Sequence, residues 1–183
     1  MIILMNGCSS FNSMVSKNET VANTWADVQA QYQRRLDLIP NLVNTVTAYA
    51  NFEKTTLTDV INARANATSI KIDPTNMQSI QQYEAAQAQL SGSLSRLMLT
   101  VEKYPELKAN EQFLSLQAEI AGTENRITVA RKDFNSTVQD YNKYVTMFPK
   151  NVWAGMFGYS RKDYFEADAG AKNAPQVNFN GIK

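Results

Sequence analysis

The 183-residue chain has no histidine and one cysteine, Cys8, and both shortages restrict the chemistry open to it. Histidine is the usual general base near neutral pH, the commonest metal ligand and the centre of the catalytic triads. A single cysteine forms neither a disulfide within the chain nor a thiolate zinc cluster. We therefore predict no catalytic residue, no cofactor and no metal site, and hence no enzymatic activity.

The chain also has few glycines in its central part and almost no net charge. Between Cys8 and Trp153 the only glycines are Gly92 and Gly122. This favours long helices, because each interior glycine costs roughly 0.5–1 kcal/mol relative to alanine. The 18 basic and 17 acidic side chains leave a net charge of +1. A nucleic-acid-binding protein needs a basic face to release counterions from phosphates, so we expect no nucleic-acid partner.

What the chain does contain is an apolar stripe at helical spacing. Apolar residues recur three and four positions apart, and a period near 3.5 keeps one helix face against a partner helix. The pattern predicts four helical segments, at about 12–50, 52–69, 75–103 and 110–147. In the first two the stripe comprises Phe11, Trp25, Tyr32, Ile39, Val46 and Val60 at one heptad position, and Met14, Val21, Val28, Leu42 and Tyr49 at the other. In the last it comprises Phe113, Ile120, Ile127, Phe134, Tyr141 and Phe148.

Prolines and caps mark the segment ends. Asp73-Pro74 is typical of a helix start, with an acceptor at the N-cap and proline at the first helical position. Tyr104-Pro105 ends the third segment, because the residue before proline is driven out of the helical region. Asn110 then caps the fourth segment, and Phe148-Pro149 ends it. The boundary at Asn51-Phe52 is the weakest, so 12–69 as one long bent helix is the alternative.

Pro40 lies inside the first segment. A proline within a helix loses the hydrogen bond to the carbonyl four residues earlier, here Leu36, at a cost of about 3 kcal/mol if nothing relieves it. A break at Asp37 would avoid this cost. However, the stripe stays in phase from Tyr32 to Val46, which favours a kinked, continuous helix.

Two regions are predicted to pack weakly. The first half of the third segment, QSIQQYEAAQAQ, offers mainly Ala and Gln to a core. Beyond Trp153 the chain has few helical signals, which favours an extended C-terminal tail. Its expected anchors on the helices are Tyr164, Phe165, Val177 and Phe179.

The amino end resembles a bacterial lipoprotein cleavage site. An apolar run, Met1–Gly7, ends in a small residue directly before Cys8. A signal peptide needs an apolar region of about 7–15 residues after a charged start, so these residues are interpreted as the remnant of a longer signal. Cys8 is then the lipidation site. The alternatives are the tail of an ordinary membrane-anchoring helix, or no anchor at all.

The chain also resembles the LemA family over about residues 11–179. Two blocks are specific: Arg34 to Val43, RRLDLIPNLV, which includes Arg35, Asp37, Pro40 and Asn41, and Tyr104 to Asn110, YPELKAN, which includes Pro105. Further matches, in order along the chain, are Trp25, Tyr49-Ala50, Ala63-Arg64-Ala65, Glu124-Asn125-Arg126-Ile127, Ala130-Arg131, Tyr141-Asn142 and Phe148-Pro149.

The resemblance implies an all-α fold, an up-and-down antiparallel four-helix bundle preceded by a membrane anchor, and no established activity. The predicted domains are an anchor or signal remnant at 1–10, the bundle at 11–150 and the tail at 151–183. Most family members carry a full transmembrane helix, whereas the Cys8 site suggests a lipid-anchored branch.

Charged and aromatic side chains on the helix faces are the remaining candidates for a site. Arg35, with Arg34 and Asp37 beside it, either binds an anion or fills a structural role. In that role it caps the free Leu36 carbonyl or pairs with an acid on a facing helix, as buried charges require. Glu124 and Arg131 lie on one flank of the fourth segment. We expect Glu124 to pair between helices with Arg64 or Arg35.

Tyr141 and Tyr144 are predicted to close the far end of the bundle near Phe148 and Trp153. At helical spacing such residues are most often part of a core. An exposed cluster of the same aromatics would instead be able to bind a peptide or a sugar. Either arrangement places aromatic side chains at the end of the bundle from which the tail leaves.

These features predict a membrane-tethered scaffold or adaptor of the bacterial cell envelope, held outside the cytoplasm, that acts by binding a protein partner. Homo-oligomerisation is also compatible with these features. The alternative is a ligand- or peptide-binding module with a pocket at a loosely packed bundle end. A third hypothesis is an enzyme that uses only Arg, Tyr and carboxylates.

Overall fold

The computed structural model describes residues 2–49, 52–72 and 77–165, with the backbone alone at 2–6, 8 and 77. Over these residues helices are the only regular secondary structure and no strand occurs, which confirms the predicted all-α class. The described residues form six helices: α1 (Ile2–Thr47), α2 (Lys54–Ser69), α3 (Met77–Val101), α4 (Pro105–Lys108), α5 (Glu111–Thr146) and α6 (Lys150–Phe157).

The long first helix agrees with the stripe and begins earlier than predicted, at Ile2. It runs unbroken through Pro40, as the constant phase of the stripe predicted. It ends at Thr47, and α2 begins at Lys54, so 12–69 is two helices and not one. The predicted lipidation site, Cys8, therefore lies within α1.

The Leu36 carbonyl that Pro40 leaves without its helical partner is satisfied from a second helix. Arg64, on α2, donates from Nε to the Leu36 oxygen at 2.9 Å. The expected capping guanidinium thus exists, but it belongs to Arg64 and not to Arg35. Because the donor comes from α2, the defect in α1 becomes a tertiary contact.

The helices pack mainly in two pairs, α1 with α5 and α2 with α3. Trp25 of α1 contacts Phe134 of α5, and Arg35, further along α1, contacts Glu124, which comes earlier in α5. The two helices therefore run in opposite directions. In α3 the first half is less weakly packed than predicted, since Ile80 is buried.

The core forms two apolar clusters, one on each side of a polar layer. The first is built around Leu36, Leu90 and Phe113, and the second around Trp25, Tyr32 and Phe134. The stripe predicted most of these residues, because each lies on the face that turns toward another helix. Its two end residues are exceptions, since Phe11 is partly exposed and Phe148 is 82% exposed.

The helix boundaries follow local chemistry. The Asn110 side chain accepts from the Phe113 amide at 2.9 Å, which confirms the predicted N-cap of α5. Tyr104-Pro105 separates α3 from α4, a short helix that the stripe did not predict. The predicted start at Asp73-Pro74 lies outside the described residues.

The extended tail predicted from residue 151 is wrong over its first part, because Lys150–Phe157 forms α6. Gly158 ends this helix in the left-handed conformation, at φ 75°, which residues with a Cβ rarely adopt. Trp153 and Ala154 turn toward the other helices, and this apolar face stabilises α6 despite its few helix-forming residues. Val177 and Phe179 lie outside the described residues.

Two asparagines of α5 hold the chain that follows α6. Asn142 exchanges two hydrogen bonds of 2.8 Å with the backbone of Lys162, and Asn135 exchanges bonds of 2.8 and 3.0 Å with that of Phe165. Seven helical residues rise about 10.5 Å, close to the reach of about 10–11 Å for three residues of chain. This segment is therefore held near full extension, with Phe165 buried as predicted.

Candidate functional site

Arg35 is the most unusual side chain in the interior. It is among the largest fully buried residues, with 1% of its surface exposed. A guanidinium out of contact with water is costly unless it is paired and hydrogen-bonded. Its position on the apolar face of α1, one residue before Leu36, forces it into the core. The surroundings of Arg35 therefore define the candidate site.

Three side chains from two other helices meet this guanidinium. Glu124 of α5 forms an ion pair with Nη1, and Ser91 of α3 accepts from the same nitrogen at 2.9 Å. Gln87, also on α3, accepts from Nη2. Arg35 thus joins α1, α3 and α5, and pairing with an acid on a facing helix is one of the two roles predicted for it.

A second ion pair lies beside the first. Arg131 of α5 approaches Glu84 of α3 at 2.5 Å, and both side chains are only partly exposed. The two pairs place two positive and two negative charges in one polar layer between the apolar clusters. Within the described residues the site is therefore close to neutral.

Two tyrosines border this layer. Burial raises the pKa of Tyr83 to about 12, and the nearby Gln87 amide offsets a part of that rise. Burial also raises the pKa of Tyr32, while the charges of Arg131 and Arg35 lower it in part. The rings meet edge to face with centroids 5.1 Å apart, so they close the layer toward the second apolar cluster.

The layer retains unused hydrogen-bond donors. Arg35 Nε and Gln87 Nε2 are buried without a partner in normal hydrogen-bond geometry, although the Gln87 amide lies close to the Tyr83 hydroxyl. A cavity of about 200 Å³ lies among Arg35, Gln87, Glu84 and Glu124. Charged and amide side chains line this space, so it suits a polar group better than an apolar one.

This cavity continues into an apolar groove between α3 and α5. The groove, of about 320 Å³, is lined by Leu94, Met98, Ile120 and Ala121, and it shares Ser91 and Glu124 with the polar cavity. The backbones of α3 and α5 make few close approaches over their described lengths. The space between them is therefore bridged by side chains. We call the cavity and the groove together the α3/α5 groove.

A separate pocket lies at the other end of the helices. It has a volume of about 650 Å³ and is lined by Tyr49, Tyr104, Pro105, Lys103 and Glu106, among others. The Tyr104-Pro105 turn thus forms one wall of a surface pocket. The sequence predicted a pocket at an end of the bundle, but at the opposite end.

The structure disperses the other predicted site residues. Arg34 is exposed and lies 3.9 Å from Glu119, and Asp37 is exposed and accepts from Gln33 at 2.7 Å. Asn41 is exposed, and Pro40 is half-buried within α1. None of these four lines the α3/α5 groove.

Tyr141 belongs to the core rather than to an exposed aromatic cluster. Burial raises its pKa, and its hydroxyl donates to the Ser160 carbonyl at 2.9 Å. The neighbouring Tyr144 is half-buried, with the Lys150 ammonium 4.1 Å from its ring centroid. Both positions are thus consistent with the interpretation of these tyrosines as helix-packing residues.

The groove also contains residues that the sequence interpretation missed. Glu84 and Gln87 belong to the Ala/Gln stretch that was predicted to pack weakly, and Ser91 was not singled out. Gln87, however, continues the three-and-four spacing of Tyr83, Leu90 and Leu94. The signal in the sequence is a polar residue within an apolar stripe. Gln87 occupies such a position in α3, as Arg35 does in α1.

The described residues contain neither a cluster of metal ligands nor a membrane-spanning helix. Among the side chains described at 7, 9–49, 52–72 and 78–165, no three His, Cys, Asp or Glu residues are grouped so that they could share a metal ion. Over the described part of the chain, no helix combines the length and the apolar character that crossing a membrane requires.

An all-helical protein with a charged layer paired around one buried arginine and an open groove beside it is the class that the fold and the site define. The comparison with family models gives the family: the chain belongs to the LemA family, whose model matches residues 24–179. The predicted resemblance is thereby confirmed, and the match includes every residue of the α3/α5 groove.

Curated relatives are similar at low identity. "Protein LemA" of Metamycoplasma hominis is 24% identical over 143 residues, which cover 78% of this chain and 63% of that protein. "Magnetosome protein MamQ 2" of Paramagnetospirillum magneticum is 22% identical over 175 residues, covering 85% of this chain and 64% of the relative. "Magnetosome protein MamQ" of Magnetospirillum gryphiswaldense is 23% identical over 174 residues, with 85% and 64% covered. The chain thus spans somewhat less than two thirds of each of these relatives.

Proposed function

We propose that this protein is a membrane-tethered helical scaffold or adaptor of the bacterial cell envelope, which acts by binding a protein partner and catalyses no reaction. The observation that carries the proposal is the α3/α5 groove, an open, mainly apolar channel with a charged end. The family match and the bacterial relatives support it.

In this proposal the four long helices form an up-and-down antiparallel bundle. The opposite directions of α1 and α5 support this arrangement. The helices α2 and α3 also run in opposite directions, because Asp59 pairs with Arg96 and the later Asn66 pairs with the earlier Gln89. The buried Arg35 layer holds these helices in register, a role that polar groups within apolar seams are known to play. The bundle is then a rigid body that presents its surface to a partner.

Tethering rests on the amino end. Lipidation at Cys8 would attach α1 to the bilayer, and stable anchoring takes two acyl chains or one chain plus a second attraction. The bundle would then lie in the periplasm or otherwise outside the cytoplasm. Because the relatives are longer than this chain, a further anchoring segment is compatible with the proposal.

The α3/α5 groove selects the chemistry of the partner. Its apolar part, around Leu94, Met98 and Ile120, suits aliphatic or aromatic side chains of a helical or extended peptide. Its polar end, lined by Arg35, Gln87 and Glu124 among others, suits a polar group of the same peptide. A partner segment that combines both features is expected to bind.

Blocking the groove tests the proposal. A photoreactive amino acid at Ser95, which lines the groove, should crosslink a specific partner in intact cells. Ala121→Trp fills the groove from the opposite wall and should reduce that crosslink at least about tenfold, since misplacing a buried anchor costs 2 kcal/mol or more. Ala118→Trp, exposed on the same helix but outside the groove, is the matched control.

Crosslinking that survives Ala121→Trp, or that is lost equally with Ala118→Trp, would contradict the groove as the binding surface. A photoreactive group at Leu99, exposed on α3 away from the groove, should give no crosslink to the same partner. A crosslink of equal strength from that position would mean that the protein binds through another face.

The Tyr49–Tyr104 pocket favours a second candidate function, a small-molecule-binding module. Its volume of about 650 Å³ lies within the range of ligand sites. A ligand that occupies it would raise the melting temperature by mass action. Ala48→Trp, at the rim of the pocket, should abolish that shift, whereas Ala118→Trp should leave it unchanged.

A further inference from the structure

Apolar side chains are exposed together where α6 meets the amino-terminal part of α1. Phe148 and Met156 are 82% and 70% exposed. Contiguous exposed apolar surface on a protein marks an interaction site more often than chance. We call this surface the α6 corner; its members are Phe11, Met147, Phe148, Val152, Met156 and Phe157.

The corner is held in place by packing. The Phe11 and Phe157 rings meet edge to face at 4.9 Å, and Phe157 stacks on Trp153 at 6.3 Å. A Cβ at Gly7 would lie 3.3 Å from the Trp153 ring, so only a residue as small as glycine admits this contact comfortably. The exposed side chains therefore project from a fixed frame formed by α1 and α6.

Charge is distributed unevenly around the corner. Residues 1–18 and 141–162 together contain no Asp or Glu, although the whole chain has 17. The same residues contain five basic side chains: Lys17, Lys143, Lys150, Arg161 and Lys162. The nearest acids along the chain are Glu19, Asp140 and Asp163. These two segments thus combine exposed apolar side chains with basic ones and contribute no carboxylate side chain, which matches an anionic lipid surface.

The lysines are placed as they are at a membrane interface. The ammonium groups of Lys150 and Lys17 lie 4.1 and 5.6 Å from the centroid of the Tyr144 ring, and Lys162 lies 5.3 Å from that of Tyr141. Each of these ammonium groups thus lies over an aromatic ring of α5. Lysines in such positions can reach phosphate groups while their stems and the adjacent apolar side chains enter the acyl boundary.

We propose that the α6 corner docks onto an anionic bilayer as a peripheral membrane-binding surface, in addition to any covalent or helical anchor. In the uncleaved chain Gly7, the residue before Cys8, lies against Trp153. Cleavage would remove residues 1–7 and leave Cys8 beside this corner, so an anchor at Cys8 would bring the corner to the lipid. This inference rests on the proposed tether. The corner would fix the orientation of the bundle, so that the α3/α5 groove is held in a constant direction from the membrane.

Vesicle binding tests the surface directly. The full chain with Cys8→Ser, which carries no lipid, is mixed with vesicles of equal parts phosphatidylglycerol and phosphatidylcholine. We expect binding that weakens at high salt and is lost on pure phosphatidylcholine. Lipids brominated on the acyl chain should quench Trp153, since interfacial helices bury apolar side chains about 5–10 Å deep. Trp25, buried against Phe134 and Phe165, supplies the unquenched reference.

Exposed apolar residues elsewhere provide matched controls. Val152→Ser with Met156→Ser should weaken binding about tenfold or more, because each buried CH₂ contributes about 0.8 kcal/mol. Val129→Ser with Leu99→Ser removes side chains that are 58% and 70% exposed, as against 54% and 70% in the corner. This control pair should change the affinity for vesicles by less than about twofold relative to the parent. Neither pair of substitutions should unfold the protein, because the replaced side chains are exposed.

Three results would overturn the proposal: no quenching of Trp153, equal loss in both pairs, or a dimer in solution that the corner pair alone disrupts. The dimer would mean that the corner binds a second copy of the chain. Because the assay uses unlipidated protein, failure of the Cys8 tether in cells would leave its outcome unchanged. The two proposals can therefore fail separately.

Discussion

At the scale of single residues, the decisive feature is one guanidinium placed among apolar side chains. Arg35 is held by Glu124, Gln87 and Ser91, and its burial links three helices that would otherwise meet through apolar contacts alone. Charged groups in such a position specify which helices meet and in what register, even where they add little stability. The effect of a substitution in this layer therefore depends on which partner of Arg35 it removes.

Removing the charge opposite Arg35 should destabilise the protein. Glu124→Gln leaves the buried guanidinium without its carboxylate. We expect a loss of about 2 kcal/mol in the free energy of unfolding, less than the 3–5 kcal/mol of a fully buried pair because Glu124 is partly exposed. Urea unfolding measures it. Glu119→Gln, which removes the acid of the exposed Arg34–Glu119 pair, is the control and should change stability by less than about 0.5 kcal/mol. Equal effects would mean that Arg35 needs no counter-charge.

Tyr83 predicts a loss of stability at high pH. Its pKa is raised from 10.0 to about 12, so the folded state disfavours the phenolate. The unfolded state begins to ionise near pH 10, and the contribution of this tyrosine is complete below that pH and is lost as the pH rises toward 12. The loss amounts to about 2–3 kcal/mol. Urea unfolding between pH 9 and about 12 measures it.

Tyr83→Phe should flatten that pH dependence, because the substituted side chain has no proton to lose. The remaining slope would come from other groups, including Tyr32, whose pKa burial also raises. An unchanged slope in the variant would show that another group controls the alkaline transition.

At the scale of helices, the main finding is that the proline defect in α1 is repaired by its neighbour. The stripe predicted a continuous helix through Pro40, and the helix is continuous. What the stripe did not predict is that Arg64 of α2 supplies the missing donor. The sequence of α1 alone shows that the Leu36 carbonyl loses its helical hydrogen bond. Only the packing of α2 against α1 shows which donor replaces it.

Pro40→Ala should stabilise the protein slightly or leave its stability unchanged, because an amide hydrogen becomes available to the Leu36 carbonyl. Arg64→Met in the parent should cost about 1–2 kcal/mol, by leaving that carbonyl without a donor. The same substitution in the Pro40→Ala background should cost about 1 kcal/mol less. A double-mutant cycle of unfolding free energies measures this coupling. Additive effects, or a large loss on Pro40→Ala alone, would contradict the account.

The asparagine contacts of α5 make a prediction about the segment after α6. Asn142→Leu removes two hydrogen bonds to Lys162, each contributing about 1 kcal/mol. We expect trypsin to cleave after Arg161 or Lys162 on the order of tenfold faster, because cleavage requires local detachment. Asn125→Leu, exposed on the same helix, is the control and should not alter the rate. Equal rates in all three proteins would show that the asparagines do not hold the segment.

At the scale of the whole molecule, the features converge on a rigid helical body with distinct surfaces. Two apolar clusters flank a polar layer, the α3/α5 groove opens beside that layer, and the α6 corner lies where the amino end of α1 packs. This separation would allow membrane contact and partner binding to occur at once. It also places the predicted lipidation site close to the corner and away from the groove.

Cys8→Ser tests the tether at this scale. If Cys8 carries the lipid, the substitution should shift most of the protein from the membrane to the soluble fraction of lysed cells, since the α6 corner alone binds reversibly. Fractionation followed by immunoblotting measures the shift, with Ser9→Ala as the control. A variant that stays with the membrane as fully as the parent would rule out the lipoprotein interpretation.

The helical segments and their inward faces were determined by the sequence alone, because each depends on residues within a few positions of one another. The three-and-four spacing located α1, α3 and α5, Asn110 marked a helix start, and the RRLDLIPNLV and YPELKAN blocks indicated the family. The limits of this local information appear at the ends of the stripes, where Phe148 is exposed instead of buried.

Only the tertiary structure decided which side chains meet across those faces. Arg35 lies 52 residues from Gln87 and 89 from Glu124, and Arg64 lies 28 from Leu36. Helical periodicity shows that a side chain points inward, but the angle and register between two helices determine what it meets there. For the same reason α6 formed against prediction: its apolar face is stabilised by α1 and α5, and no local pattern contains that contact.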